Sequence, residues 1–414
     1  MPQLVPRDHK YWCPGPWPWE WADTCTRHGH AWQYDFDWVH STGFLFFSDH
    51  QGCEAGVLYS WRGAGGGLGS KTAFHVTDFF DDRLSSEGEC AMTGAGGYPL
   101  TSSAGRLGRP PGLAVFKDRL YAAWKGMLGD QNLWWSSFGK TWFGRGWAPQ
   151  QRIEGVGSSI GPALAALEER LYAVWKGVTG DENIWWSVFD GQGWAPQQRI
   201  GDGVGTSVGP STAIFDGRLY AAWKGIEGDE QIWWSSFNGQ GWARQQHLVD
   251  SAGTSVGTSV GPSIAAFNGR LYGAWKGVEG DQRLWWSSFD GKSWARQQHI
   301  VDGAGTSVGS SIGPSIAAFN GRLYAAWKGV EGDERLWWSS FDGQSWAPQR
   351  HIVDGVGTSV GSSIGPSLAV FDGRLYAAWK GIFGDQHIWW FSFEGQGWTP
   401  QLQIAGVGTS PEPA

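Results

Sequence analysis

The chain has 414 residues, 32 of them Trp and 65 Gly, with 17% charged residues and a net charge of −8. The acidic balance argues against nucleic acid, whose phosphate backbone draws clustered Lys and Arg. Few charges and many aromatics do not fit disorder, and no apolar stretch reaches the eighteen or so residues of a membrane span.

The chain opens MPQLVPRDHKYW, without an apolar h-region. No secretory signal is therefore expected, and the location stays open between the cytoplasm and non-classical release with action outside the cell. Residues 1–104 do not repeat, and their role is unassigned. They hold all four Cys (Cys13, Cys25, Cys53 and Cys90) and six of the ten His. The run Cys25–His40 contains Cys-x-x-His-x-His, a spacing that brings soft and imidazole ligands together, but no repeated CxxC frames it. Two disulfides are the preferred reading; they would require an oxidising compartment, and free thiols are the alternative. The Gly63–Gly69 run lacks the GK[ST] of a phosphate loop; no cofactor is expected, and no metal site is assigned. A composition shift near Thr101–Gly112 marks the boundary with a second region, 105–414.

That second region repeats six times. The tryptophan of a Trp-Lys-Gly triplet falls at Trp124, Trp175, Trp223, Trp275, Trp327 and Trp379, at steps of 51, 48, 52, 52 and 52 residues. A period near fifty is the signature of a repeat architecture. Each copy reads as four short strands. In the fifth they are Pro314–Phe319, Arg322–Gly329, Leu336–Phe341 and Trp346–Ile352. Asn-Gly and Asp-Gly supply hairpin turns between the outer pairs, and a Gly-Asp turn joins the middle pair. Four antiparallel strands per fifty residues make one blade of an all-β propeller. β-Helix rungs are much shorter than fifty residues, and a β-trefoil stops at three repeats. Six blades are expected, with a seventh left open by VLYSWRGAGG (Val57–Gly66), a faint echo of RLYAAWKG. Alternation along the second strand sets Leu323, Ala325 and Trp327 on one face and Tyr324, Ala326 and Lys328 on the other. Ring closure would then rest on packing of blade 6 against blade 1.

Strand order sorts the loops onto two ends of the ring. The Asn-Gly and Asp-Gly turns share one. The Gly-Asp turn and the long GVGTS loop share the other, beside the Lys of the triplet and a Trp-Trp pair. Aromatic surface beside a carboxylate, an ammonium and hydroxyls suits a sugar, which stacks one C–H face on an indole and needs fixed donors and acceptors. Candidate sugar contacts are Asp130, Trp135, Asp181, Trp186, Asp229, Trp234, Asp281, Trp286, Asp333, Trp338, Asp385 and Trp390. Structural roles compete for the same residues. The triplet Trp reads as core, the Lys and Asp could pair with each other, and the Asp could cap its own turn. The hairpin aspartates Asp190, Asp290, Asp342 and Asp372 read as structural.

The pattern LYAAWKG-x-x-GD-x-x-IWWSSFDG-x-x-W resembles the bacterial β-propeller lectins of the PLL kind, over about 300 of the 414 residues. The resemblance implies fucose-type ligands in pockets between blades, and it carries binding onto Trp175, Asp181, Trp186 and their equivalents. Those lectins are usually seven-bladed and lack a Cys-containing N-terminal region. The implied function is a multivalent lectin for cell-surface or secreted glycans, with no catalytic residues, oligomeric state open. Two alternatives remain: an enzyme or toxin-like N-terminal domain targeted by the propeller, and a protein-binding scaffold.

Overall fold

A computed structural model describes residues 109–409 apart from 128, 142, 143, 304 and 383, together with the backbone of five N-terminal strands. The chain divides into two compact units, Met1–Ser103 and Ala104–Ala414. In the first, Gln3–Asp8 pairs with His30–Asp35, and His40–Ser48, Glu54–Gly63 and Thr72–Phe79 form a three-stranded antiparallel sheet. Most of the Val57–Gly66 echo lies in the middle strand of that sheet, which is not a four-stranded blade. The disulfide and metal expectations for Cys13, Cys25, Cys53, Cys90 and the His run fall outside the described residues, as does Trp142.

The second unit is a ring of six antiparallel sheets, one per repeat. The first strands are Gly112–Phe116, Ala163–Leu167, Ser211–Phe215, Ser263–Phe267, Ser315–Phe319 and Pro366–Phe371. Each adjoins the next, and the last adjoins the first, around a central channel. Six blades close the ring without a seventh, as the six repeats led one to expect and unlike the usual seven of the lectins the sequence resembles.

Local chemistry sets each blade. Asn320 and Gly321 both take positive φ, 46° and 71°, the conformation a type I′ hairpin demands at both central positions. At the other hairpin Asp342 Oδ1 accepts the N–H groups of Gln344 and Ser345, both at 2.8 Å, so this aspartate shapes its own turn. In blades 2 to 5 the fourth strand is shorter than the sequence suggests, while in blades 1 and 6 it runs seven residues. In blade 5 it spans only Arg350–His351. The Ser339 hydroxyl donates to the Ala347 carbonyl at 2.6 Å, taking the place of a ladder bond before the strand begins.

Both faces of each blade are buried, because blades pack face to face. Leu323, Ala325 and Trp327 pack against Tyr272, Ala274 and Leu284 of blade 4. Tyr324, Ala326 and Leu336 pack against Leu375, Ala377 and Trp379 of blade 6. The alternation read from the second strand is therefore the division between its two neighbours. The closing seam repeats the others: Phe138 meets Trp390 at 5.0 Å, as Phe189 meets Trp135 at 5.1 Å. Aromatic pairs of this kind add about 0.5–1.5 kcal/mol each beyond area burial. Blades 3 and 5 carry an extra staple. Asp250 and Asp354, both buried, accept the backbone N–H groups of Gln297 and Gln401 in the following blades.

Candidate functional site

The Gly-Asp turn organises one end of every blade. In blade 5 Asp333 Oδ1 accepts the backbone N–H and the Nε of Arg335, at 3.0 and 2.8 Å. Asp333 Oδ2 accepts the indole N–H of Trp337 at 2.8 Å. The same indole–carboxylate bond joins Trp134 to Asp130, Trp185 to Asp181, Trp233 to Asp229, Trp285 to Asp281 and Trp389 to Asp385, at 2.7–2.9 Å. This explains the glycine of the triplet. A Cβ on Gly329 would stand 2.3 Å from Asp333 Oδ2, and the other five copies are as tight.

Burial alone would raise the carboxyls of Asp130, Asp181, Asp281, Asp333 and Asp385. Hydrogen bonds from backbone N–H, neighbouring side chains and the indole outweigh it and hold them below the ordinary 3.8. These groups are anions at neutral pH. Among the described residues no salt bridge joins the triplet lysines of blades 2 to 6 to those carboxylates, although the carboxylates lie near enough to favour the charged ammonium. Lys176, Lys224, Lys276, Lys328 and Lys380 are buried and donate to the hydroxyls of Ser159, Ser207, Ser259, Ser311 and Ser363. Lys176 and Lys380 also reach the backbone carbonyls of Asp181 and Asp385. Desolvation lowers the pKa of all five.

The two tryptophans of each pair face different seams. The second of the pair (Trp135, Trp186, Trp234, Trp286, Trp338, Trp390) stacks on the tyrosine of its own blade, with interplanar angles of 11–24°. In the first five blades it also lies 5.0–5.3 Å from a phenylalanine of the following blade. It builds the wall between blades. Trp175 and the other triplet tryptophans are the largest fully buried side chains.

The first of the pair, the one bonded to the aspartate, is partly exposed in all six blades and turns toward the preceding blade. Its companion on the fourth strand, in register, is Arg152, Arg199, His247, His299, His351 or Gln403. In blades 3 to 5 the imidazole packs on the indole, with centroids 3.5–3.7 Å apart. Arg283 and Arg335 lie 5.5 and 5.8 Å over Trp285 and Trp337, within cation–π range. Burial and Arg283 lower the His299 pKa. None of these companions, nor the first Trp itself, was singled out in the sequence. The signal that could have found the Trp is its i+4 spacing from the Gly-Asp aspartate.

An open groove lies at the same end between blades 5 and 6, lined by Asp333, Glu334, Arg335, Ser359 and Ile382. Ile382 is exposed, as are its equivalents Met127, Val178, Ile226, Val278 and Val330. Each blade end therefore carries an anchored indole beside a carboxylate, with basic or amide side chains and an apolar edge; in blade 5 the groove takes in Asp333 and Arg335, whereas the Trp337 ring turns to the seam with blade 4. Among the described residues no three His, Cys, Asp or Glu side chains gather as metal ligands do.

No protein-family model matches the sequence, and neither does any curated protein. Solved structures do share the architecture. The fucose-specific lectin from Aleuria aurantia is 16% identical with a TM-score of 0.53, over 75% of this chain and 99% of that one. A second structure of that fungal lectin, described as a six-bladed β-propeller with a novel fucose recognition mode, is 17% identical with a TM-score of 0.50, over 74% of this chain and 97% of that one. AofleA from Arthrobotrys oligospora is 12% identical with a TM-score of 0.50, over 74% of this chain and 89% of that one. The repeats of this chain thus form a six-bladed β-propeller, the architecture described for the Aleuria lectin.

Proposed function

We propose that the propeller is a multivalent carbohydrate-binding module, a lectin, with one sugar site at each seam between blades. The observation that carries this reading is the sixfold recurrence of a partly exposed indole locked by a carboxylate. A pyranose stacks its apolar C–H face on such a ring, and a locked ring loses little entropy when it does so. In blade 5 Trp337 offers the face, Arg335 and His351 offer polar contacts, and Asp333 keeps acceptor capacity for a hydroxyl. The candidate aspartates thus act as anchors and acceptors, and Trp135, Trp175, Trp186, Trp234, Trp286, Trp338 and Trp390 as the framework that sets the width of the seam.

Fucose-type sugars are the proposed ligand class. The resemblance to the PLL-kind lectins and the fold shared with the Aleuria fucose lectin both support it. Six copies of one weak site suit a glycan-coated surface, where multivalency raises avidity by about 10²–10⁴. The repeated sites contain no unique acid–base pair, so no reaction is assigned to the propeller. Titration of the full chain with L-fucose, followed by a glycan array, tests the reading: saturable binding lost on substitution of the first tryptophans supports it, and absence of any glycan binding sinks it.

A further inference from the structure

Five of the six first strands are entered through Gly-Pro, at Pro162, Pro210, Pro262, Pro314 and Pro366, and Pro162, Pro262, Pro314 and Pro366 line one end of the central channel. Proline brings a carbonyl acceptor and no N–H donor, so this rim is rich in unbalanced acceptors. The first copy differs, reading Arg109-Pro110-Pro111-Gly112. The Arg109 guanidinium enters the channel and donates to the Pro210 carbonyl of blade 3 and, at 3.3 Å, to the Pro262 carbonyl of blade 4. Its stem runs beside Gly209, where a Cβ would meet Arg109 Cδ at 3.1 Å. Among the described residues no carboxylate pairs with it. Burial alone lowers its pKa to about 10. A desolvated charge without a counter-ion is costly, and neutral carbonyls are its only compensation here.

We infer that this rim is a binding site for a compact planar cation of the guanidinium class, filled in cis by Arg109, which acts as a clasp across the ring. Blade 4 lies opposite blade 1 in a ring of six, so the contact ties the start of the ring to its far side. It complements the seam between blades 6 and 1, which is held by packing without a shared sheet. The inference is independent of sugar binding.

The test is thermal unfolding of the full chain carrying Arg109→Ala or Arg109→Lys, with and without millimolar methylguanidinium, and with sodium as the control. The expected result is a melting temperature lowered by roughly 3–6 °C in the alanine variant. Methylguanidinium, and not sodium, should restore it by mass action while leaving the native chain unmoved. The lysine variant, which keeps the charge and loses the planar fork, should fall in between and gain from the same additive. Melting temperatures equal to the native chain, or a loss that methylguanidinium repairs in neither variant, would overturn the assignment. Hydrogen exchange across the seam of blades 6 and 1 provides the second readout: it should quicken in the variants, and unchanged exchange there contradicts the clasp.

Discussion

Asp333 and Trp337 stand four residues apart in sequence, and the carboxylate Oδ2 accepts the indole N–H at 2.8 Å. The bond does two things at once. It closes the Gly-Asp turn onto the third strand, and it fixes the plane of a ring that remains partly open to solvent. A hydrogen bond to a charged acceptor contributes about 1.5–3 kcal/mol when shielded, and less at this partly solvated rim.

Trp327 and Trp337 are cross-strand partners on one blade face, yet their replacements should behave differently. Trp327 is fully buried, so Trp327→Ala leaves a cavity and costs about 3–5 kcal/mol. Trp337→Ala should cost less stability and remove sugar binding at one seam. Chemical denaturation alongside calorimetric titration separates the two. Equal losses of stability, with sugar binding untouched by Trp337→Ala, would count against the assignment.

Gly329→Ala should destabilise by about 1–3 kcal/mol, as overpacking does, although alanine usually suits a strand better than glycine. The added Cβ would lie 2.3 Å from Asp333 Oδ2 and push the carboxylate off Trp337. Thermal unfolding checks the direction, and Trp fluorescence of the folded variant reports the freed indole. A melting temperature at or above the native one would contradict the contact.

Acid should attack these turns late. The carboxyls of Asp130, Asp181, Asp281, Asp333 and Asp385 sit below 3.8 when folded. In the window below 3.8 the unfolded chain binds more protons than the folded one, so stability falls there with falling pH. Their contribution should be complete above the ordinary carboxylate range and vanish as pH drops through the lowered folded values. Urea midpoints of the native chain and Asp333→Asn, compared at pH 6 and pH 3, check it: the difference between the two should be larger at pH 6.

Much of this molecule could be read from sequence. The six copies of Trp-Lys-Gly, with Asn320-Gly321 and Asp342-Gly343 as hairpin turns, point to the blade, and the alternation of Leu323 and Tyr324 points to its two covered faces. The site was less legible for a physical reason. Period-2 alternation says that Trp337 and Trp338 face opposite ways, but both ways lead to a neighbouring blade. In blades 1 to 3 only the first ring stays partly open, whereas in blades 4 to 6 both do, and what each ring packs against depends on partners the pattern does not display. Tyr324 stacks under Trp338, whereas Asp333 and His351 hold Trp337 at the rim. The short fourth strand was hidden similarly, because the Ser339 hydroxyl takes over a backbone bond.

The closing seam offers a further check. Phe138 of blade 1 packs against Phe371, Tyr376 and Trp390 of blade 6. Phe138→Ala should cost about 3–5 kcal/mol and loosen the end blades first. Hydrogen exchange should then speed up in Arg119–Lys125 and Arg374–Lys380 before the middle blades. Uniform acceleration around the ring would show that closure is no weaker than any other seam.

The most direct test of the central claim is calorimetric titration of L-fucose into the native chain and into a variant with Trp185, Trp233, Trp285 and Trp337 all changed to Ala. The account predicts saturable binding with several sites per native chain, and in a still-folded variant a loss of the sites at those four seams. Native stoichiometry retained by that variant, or no heat of binding from the native chain with fucose or any other glycan, would contradict it.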